Sequence, residues 1–276
     1  MVKQHFVVIG NPIAHSKSPE IHQHFAKQVG LDINYSKQYC PNDTSSFEAV
    51  VTAFFHGGGI GANVTVPFKQ MAFELCQEQG GLSKHALAAG AVNTLMLRQG
   101  RLFGDNTDGQ GLVNHLQALN WPLEQAQIAI IGAGGAARGI VLPLLEAGAA
   151  SITIANRTVS KAQQLIDDLQ SGHERLAKAS LYTKAINELN GEYNLIINAT
   201  SIGLSEDTLP LSKTLQTTYA YDMMYGRKLP FLQHFAKLGA TTSDGFGMLV
   251  GQAALSFERW TGHRVDSQAA IHILQR

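Results

Sequence analysis

The chain has 276 residues, of which 45% are hydrophobic and 15% charged, and its 21 basic and 21 acidic residues give a formal net charge of zero. This length provides for one large or two medium-sized domains, and the balanced charge argues against a nucleic-acid or membrane-surface partner. We see no leader and no apolar run near the roughly 20 residues that span a bilayer. With only two cysteines, a soluble cytoplasmic protein is expected.

Strands and helices alternate through the first hundred residues, which indicates a mostly parallel sheet. The helix over 18–29 has Ser18 suited to the N-cap and Pro19 to the first helical position. The other predicted elements are strands at 6–9, 35–39 and 61–65, helices at 45–55 and from Pro67, and a hairpin of strands 91–97 and 101–104.

Two polar clusters lie at the ends of these elements. Ser16 and Ser18 precede or begin a helix, where hydroxyls and free N–H groups can hold a carboxylate; for Ser18 alone, capping the helix is the simpler interpretation. Asn63 and Thr65 share one face of a strand, and Lys69 follows in the first helical turn. A lysine at the positive end of a helix dipole can serve as an acid or base, although a solvated surface lysine is the commoner case.

A third cluster contains Asp105 and Asp108, after the hairpin. Neither a third carboxylate nor a histidine stands at ligand spacing, so we expect no metal site. One of these acids is better explained as the partner of Lys69. The alternative is that Asp105 or Asp108 caps the following helix.

A glycine-rich turn links a buried strand at 128–131 to a helix at 136–147. Its glycines permit a tight turn and close approach to a pyrophosphate, Ala137 is small enough for helix and strand to pack, and the helix start offers free N–H groups. An ordinary strand–turn–helix corner could carry the same glycines, but the following strand at 151–155 favours a βαβ unit. The predicted contacts with the cofactor come from Gly132, Ala133, Gly134, Gly135 and Ala136.

The second strand of this unit ends in Asn156, Arg157 and Thr158. An NAD-binding unit would present an acid there to the ribose hydroxyls, whereas an arginine fits a ribose 2′-phosphate. The sequence therefore predicts NADP rather than NAD, unless Arg157 is a plain surface residue. An S-adenosylmethionine methyltransferase also uses a glycine-rich turn, but it would be expected to have an acidic residue at the end of this strand.

The rest of the chain completes a two-domain organisation. A connecting helix is predicted at 109–119, strands at 195–198 and 219–222, and closing helices at 248–260 and 267–274. We predict an α/β protein with a substrate domain at 1–108, completed by 245–276, and a Rossmann-type domain at 109–244. A cleft between them is the expected place for a small-molecule site.

Nine short motifs, spread over essentially the whole chain, together resemble the shikimate dehydrogenase family. They are Asn11-Pro12 with Ser18-Pro19, Asn63-Val64-Thr65-Val66-Pro67-Phe68-Lys69, Gly90-Ala91-Val92-Asn93-Thr94, Asp105-Asn106-Thr107-Asp108-Gly109, Gly132 to Ala136, Asn156-Arg157-Thr158, Asn198-Ala199-Thr200-Ser201 with Gly203, Tyr221-Asp222-Met223 with Tyr225, and Asp244-Gly245 with Gly247-Met248-Leu249-Val250 and Gln252.

The resemblance implies reversible reduction of 3-dehydroshikimate to shikimate by NADPH, with Lys69 and Asp108 as the catalytic pair. It implies substrate contacts from Ser16, Ser18, Thr65, Asn93, Tyr225 and Gln252 in addition to the pair. It also implies cofactor contacts from the glycine turn, Asn156, Arg157, Thr158, Lys161, Met223 and Gly245. We expect a monomer or homodimer. One alternative function is a dual-specificity quinate/shikimate dehydrogenase, which Arg157 disfavours. Another is a non-catalytic NADP or metabolite sensor, which would be expected to lack Lys69 or Asp108.

Overall fold

The chain divides into two compact units in a computed structural model that describes residues 3–172, 176–200 and 209–275. One unit comprises residues 1–111 with 249–276, and the other comprises residues 112–248. Both are α/β, as the sequence predicts. Within the described ranges, no helix combines the length and apolar character that crossing a membrane requires.

The first unit is built on a five-stranded sheet with the order β2-β1-β3-β4-β5. Its strands are β1 (Gln4–Gly10), β2 (Ile33–Tyr39), β3 (Gly61–Val64), β4 (Thr94–Arg98) and β5 (Arg101–Asp105). β1 pairs in parallel with β2 and β3, whereas β4 is antiparallel to β3 and β5. Only β4 therefore runs against the other strands, because a hairpin rather than a helical crossover joins it to β5.

Helices complete the first unit. They are α1 (Ser18–Val29), α2 (Thr44–His56), α3 (Lys69–Gln79), α4 (Lys84–Ala89) and α10 (Ser267–Leu274), together with the start of α5 (Asp108–Ala118) and most of α9 (Phe246–Thr261). The sheet packs its apolar side chains with those of α2 and α3, for example Val7, Phe47 and Phe68. Burial of this apolar surface holds β3 and α3 in place, and these elements carry Asn63 and Lys69.

The second unit contains a fully parallel sheet of six strands with the order β11-β10-β9-β6-β7-β8. The strands are β6 (Gln127–Ile131), β7 (Ser151–Asn156), β8 (Leu181–Ala185), β9 (Gly191–Asn198), β10 (Leu215–Asp222) and β11 (Thr241–Ser243). The helices are α6 (Gly135–Glu146), α7 (Val159–Gly172) and α8 (Pro230–Lys237), and a short 3-10 helix lies at Ile186–Glu188. The strand order reverses between β6 and β9. Nucleotide ligands bind at the carboxyl ends of strands at such a switch point.

The start of α1 differs from the sequence prediction. Ser18 is the first helical residue and Lys17 occupies the N-cap without a side-chain capping bond. The Ser18 N–H instead donates a hydrogen bond to Ser16 Oγ at 3.3 Å. The prediction that Ser18 caps the helix is therefore wrong, because the hydroxyl two residues earlier already accepts the first free N–H group.

Candidate active site

Lys69 and Asp108 form an ion pair in the first unit. Lys69 Nζ lies 2.5 Å from Asp108 Oδ2, and their side chains are 32% and 24% exposed. Lys69 begins α3 and Asp108 begins α5, so both charges lie at the positive end of a helix. That end favours the carboxylate and disfavours the ammonium, and the contact with Asp108 offsets the unfavourable position of Lys69.

Asn93, in the segment before β4, orients the other oxygen of this carboxylate. Its Nδ2 donates to Asp108 Oδ1 at 2.8 Å, while its Oδ1 accepts from the Thr107 N–H at 3.0 Å. A backbone N–H can only donate, so the amide oxygen must face Thr107 and the NH₂ group must face Asp108. The main chain thereby fixes the direction of the Asn93 side chain.

Gln252 joins this group from α9. Its Oε1 lies 3.3 Å from Asn93 Nδ2, and its Nε2 donates to the Leu249 carbonyl at 2.9 Å. The side chain is 9% exposed. Lys69, Asp108, Asn93 and Gln252, which are far apart in the sequence, therefore form one connected polar group.

Asp105 has different contacts from Asp108. It is buried and bonded to Arg259 Nε of α9 and to Ser83 Oγ before α4, and it accepts the Asn106 N–H at 2.7 Å. Asn106 Oδ1 accepts the Asp108 N–H at 3.1 Å. An asparagine rather than an aspartate thus closes the turn into α5, and Asp105 links α9 to β5.

Ser16, Ser18 and Thr65 follow the ends of β1 and β3. Ser18 is 8% exposed, and Ser16 and Thr65 are partly exposed. The Thr65 N–H donates to the Ile9 carbonyl at 3.0 Å, which keeps the two strand ends together beyond the last residue of β3. These loops therefore present three hydroxyl side chains at one edge of the sheet.

The glycine turn of the second unit leaves open space around the backbone of Gly134 and Gly135. Gly132 has a φ of +111°, which favours glycine. A Cβ added at Gly134 or Gly135 would meet nothing within 4 Å, and Gly134 is the N-cap of α6. Ala137 is fully buried where the helix packs on the sheet. Exposed N–H groups at this helix start fit a pyrophosphate.

The turn after β7 carries exposed polar and basic side chains. Asn156 Nδ2 donates to the Thr158 carbonyl at 2.9 Å, and the Lys161 N–H donates to the same oxygen at 3.1 Å. Arg157, Thr158 and Lys161 are exposed. Two cations and a hydroxyl at this strand end can hold a phosphate on a ribose.

The carboxyl ends of β9 and β10 contain a buried polar pair that the sequence interpretation missed. Asn198 Nδ2 donates to Asp222 Oδ2 at 2.9 Å, and Asp222 Oδ1 accepts the Met224 N–H at 2.9 Å. Burial raises the pKa of Asp222 despite these bonds. An acid and an amide ending adjacent parallel strands was the available signal. Ser201 and Gly203, part of the same predicted motif, lie outside the described residues.

Met223, Tyr225 and Gly245 lie in the loops near these strand ends. A Cβ at Gly245 would collide with the Met223 carbonyl, so only glycine fits the close approach of these two segments. Tyr225 packs edge-on against Phe246 at 5.8 Å between ring centroids. Burial, reinforced by Asp244, raises the pKa of Tyr225, so its hydroxyl stays protonated and able to donate at neutral pH.

Comparison with known families matches three segments of the chain. Residues 8–95 match the shikimate dehydrogenase substrate binding domain, residues 115–206 match shikimate/quinate 5-dehydrogenase, and residues 245–275 match the shikimate 5′-dehydrogenase C-terminal domain. A shikimate dehydrogenase (NADP(+)) of Psychrobacter cryohalolentis is 63% identical, over 99% of this chain and 98% of the relative. The chain belongs to the shikimate dehydrogenase family. The resemblance inferred from its motifs is thus confirmed.

Solved structures of similar proteins agree with this assignment. Shikimate 5-dehydrogenase from Thermus thermophilus, crystallised with NADP(H) and shikimate, superposes with a TM-score of 0.84 at 30% identity over 99% of both chains. An Ael1 enzyme from Pseudomonas putida superposes with a TM-score of 0.89 at 37% identity over 98% of both chains.

Proposed function

We propose that this chain is an NADP-dependent shikimate dehydrogenase that reversibly reduces 3-dehydroshikimate to shikimate in aromatic amino-acid biosynthesis. The observation that carries the proposal is the Lys69–Asp108 ion pair, with Asn93 and Gln252 bonded to it, in a family member that matches an NADP-dependent relative over nearly its full length. A sensor that had lost catalysis would not need to keep this pair.

The second unit would hold the cofactor. The open backbone at Gly134 and Gly135 suits the pyrophosphate, with Gly132, Ala133 and Ala136 completing the turn. Arg157 and Lys161, with Asn156 and Thr158, suit the adenosine ribose phosphate because their charges oppose that of the phosphate. Met223 and Gly245 would border the nicotinamide. When bound, NADPH supplies the hydride.

The first unit would hold the substrate. Ser16 and Ser18 would bind its carboxylate with hydroxyl donors, and Thr65, Asn93 and Gln252 would bind the carboxylate or the ring hydroxyls. Tyr225 would add a phenolic donor. We assign substrate binding to residues 1–108 with 245–276 and cofactor binding to residues 109–244.

The proton chemistry would belong to Lys69. Reduction of the ketone adds a hydride to the carbonyl carbon and leaves negative charge on its oxygen. The Lys69 ammonium would stabilise that charge and donate its proton to the oxygen, which completes the alcohol. Asp108 would keep the ammonium oriented and balance its charge, and Asn93 would hold Asp108 in turn. Oxidation of shikimate would run through the same groups in reverse.

The cellular setting is also part of the proposal. Equal numbers of acidic and basic residues and two buried free cysteines support a cytoplasmic enzyme that acts on a small molecule, without nucleic acid or membrane, as a monomer or homodimer.

The experiment is a reduction assay with the purified chain. 3-Dehydroshikimate and NADPH are mixed with the protein, the loss of NADPH absorbance is followed, and shikimate is identified by chromatography. Equimolar production of shikimate and NADP⁺ is expected. If the folded protein forms no shikimate, the proposal fails.

A further inference from the structure

A continuous chain of hydrogen bonds runs through the interior of the first unit and ends on Asp108. Its central members are buried: Asn63 is 5% exposed, Asn93 is 2% exposed, and Thr94 and Ser256 are fully buried. They come from β3, the segment before β4, β4 itself and α9. Buried polar groups persist only when they are bonded, and here the bonds also have a direction.

The direction is set first at Asn63. The Tyr35 hydroxyl donates to Asn63 Oδ1 at 2.7 Å, so Asn63 Nδ2 must be the donating end. Its two protons have two good acceptors, the Asn93 carbonyl at 3.1 Å and Ser256 Oγ at 3.1 Å. Burial raises the pKa of Tyr35, which keeps its proton available for the first bond.

The direction is set again at Thr94. Thr94 Oγ1 lies 2.8 Å from Asn93 Oδ1, an oxygen that can only accept, so the single hydroxyl proton of Thr94 goes there. Ser256 Oγ lies 2.7 Å from Thr94 Oγ1. Ser256 must therefore donate to Thr94 in this arrangement. Its alternative acceptors, the Gln252 carbonyl at 3.1 Å and Thr107 Oγ1 at 3.3 Å, are both farther away.

All the bonds then point one way: from Tyr35 to Asn63, Ser256, Thr94, Asn93 and finally Asp108 Oδ1. Hydrogen bonds in such a series polarise one another and strengthen the last one. Ser256 is the only one of these links that belongs to α9, the helix that also carries Gln252.

We propose that Ser256 is a positioning residue for the reaction: its hydroxyl donates to Thr94, whose own proton goes to Asn93 Oδ1. Together with the bond from the Thr107 N–H, this keeps the Asn93 NH₂ group on Asp108 and Asp108 on Lys69. This inference rests on the proposed function. Removing the Ser256 hydroxyl eliminates its 2.7 Å hydrogen bond to Thr94 Oγ1. The nearest remaining donor to Thr94 Oγ1 from β3 is then Asn63 Nδ2, at 3.4 Å. The Asn93–Asp108 contact then samples more than one geometry.

The experiment compares three variants at this position. Ser256→Ala removes the hydroxyl and lowers kcat about 3- to 10-fold, the effect of one net hydrogen bond, while KM for NADPH stays unchanged. Ser256→Thr and Ser256→Val add the same bulk, and only Ser256→Thr keeps the hydroxyl. Ser256→Thr is expected to exceed Ser256→Val in kcat by about the same factor.

Two further measurements separate positioning from folding. Thr261→Val removes another α9 hydroxyl, which donates to the Phe257 carbonyl at 2.8 Å away from the chain; it is expected to leave kcat unchanged. Thr94→Val combined with Ser256→Ala is expected to cost little more than Thr94→Val alone, since both changes break the same series. Additive losses, or a normal kcat in Ser256→Ala, would overturn the inference with the proposed function intact. A folded but inactive wild-type chain would overturn both.

Discussion

Lys69 Nζ and Asp108 Oδ2 are 2.5 Å apart, and each residue is the first of its helix. An ammonium at a helix start is unfavourable by itself. A lysine at this position therefore does not stabilise α3, and the requirements of folding do not explain it. The proposed general-acid role would explain this position, because in that role the ammonium stabilises the charge that develops on a reduced carbonyl oxygen.

Replacing Lys69 tests this role. Lys69→Ala is expected to lower kcat by roughly 10²–10⁴-fold with little change in KM for 3-dehydroshikimate, since general acid catalysis acts mainly in the transition state. Steady-state kinetics with purified protein measure both values. Lys3→Ala, which removes an exposed lysine of the same unit, is the matched control. Near-normal kcat in Lys69→Ala would remove Lys69 from the mechanism.

Arg157 is expected to set the preference for NADP. Arg157→Ala removes an exposed cation beside the proposed ribose phosphate site and should raise KM for NADP⁺ about 10- to 100-fold, the value of one charged hydrogen bond. KM for NAD⁺ should hardly change, because NAD⁺ lacks that phosphate. Lys178→Ala, also exposed in this unit, is the control. Equal changes for both cofactors would contradict this assignment.

The Asp105–Arg259 pair is expected to contribute to stability. Arg259→Leu leaves the Asp105 carboxylate buried without its cation, and the free energy of unfolding should fall by about 3–5 kcal/mol. Arg264→Leu breaks an ion pair in which Arg264 is 90% exposed and should cost at most about 1 kcal/mol. Urea unfolding measures both. Equal losses of unfolding free energy in the two variants would show that the buried Asp105–Arg259 pair stabilises the protein no more than an exposed one.

His22 is expected to make the first unit less stable in acid. Its ring stacks on Tyr35 with 4.4 Å between the ring centroids, and neither ring nitrogen has a hydrogen-bond partner among the described residues. Burial lowers its pKa to about 3. Below pH 6.5, the ordinary pKa of a histidine, the unfolded chain therefore takes up the proton first. Stability is full above that pH and is lost as pH falls toward the folded pKa.

The size of this effect can be measured by difference. Between about pH 7.5 and about pH 5.5, His22 should account for roughly 1 kcal/mol of lost unfolding free energy. The drop should be smaller by that amount in His22→Phe. His263→Gln, at an exposed position, controls for removal of an imidazole. If wild type and His22→Phe lose the same free energy, His22 does not carry the acid sensitivity.

Much of the fold could be predicted from local patterns. The helix over 18–29, the glycine turn and the parallel order of the second sheet follow from hydrophobic periodicity and from glycine chemistry. Helix α4 was not predicted, because its six residues are too few to show a helical hydrophobic periodicity. Its Ser83 cap, which accepts the Ala86 N–H, was the available signal.

The candidate site was harder to predict, because its contacts join distant parts of the chain. The residue pattern by itself marked Lys69 and two aspartates and left open which acid is the partner, whereas the resemblance to the family implied Asp108. Asp108 contacts Lys69, while Asp105 is bonded to Arg259, 154 residues away. Ser256 gave one weak signal, a serine four residues after Gln252 on an otherwise apolar helix face. Its hydrogen bonds to Asn63 and Thr94 depend on tertiary packing that no local pattern encodes.

The most direct test of the proposed activity is cofactor reduction with shikimate or quinate, each offered NADP⁺ and NAD⁺. We expect kcat/KM to be highest for shikimate with NADP⁺ and much lower for the other three pairings. Comparable activity with quinate and NAD⁺ would indicate a dual-specificity enzyme instead, and no activity in any pairing, with the protein folded, would contradict the assignment of shikimate dehydrogenase activity to this chain.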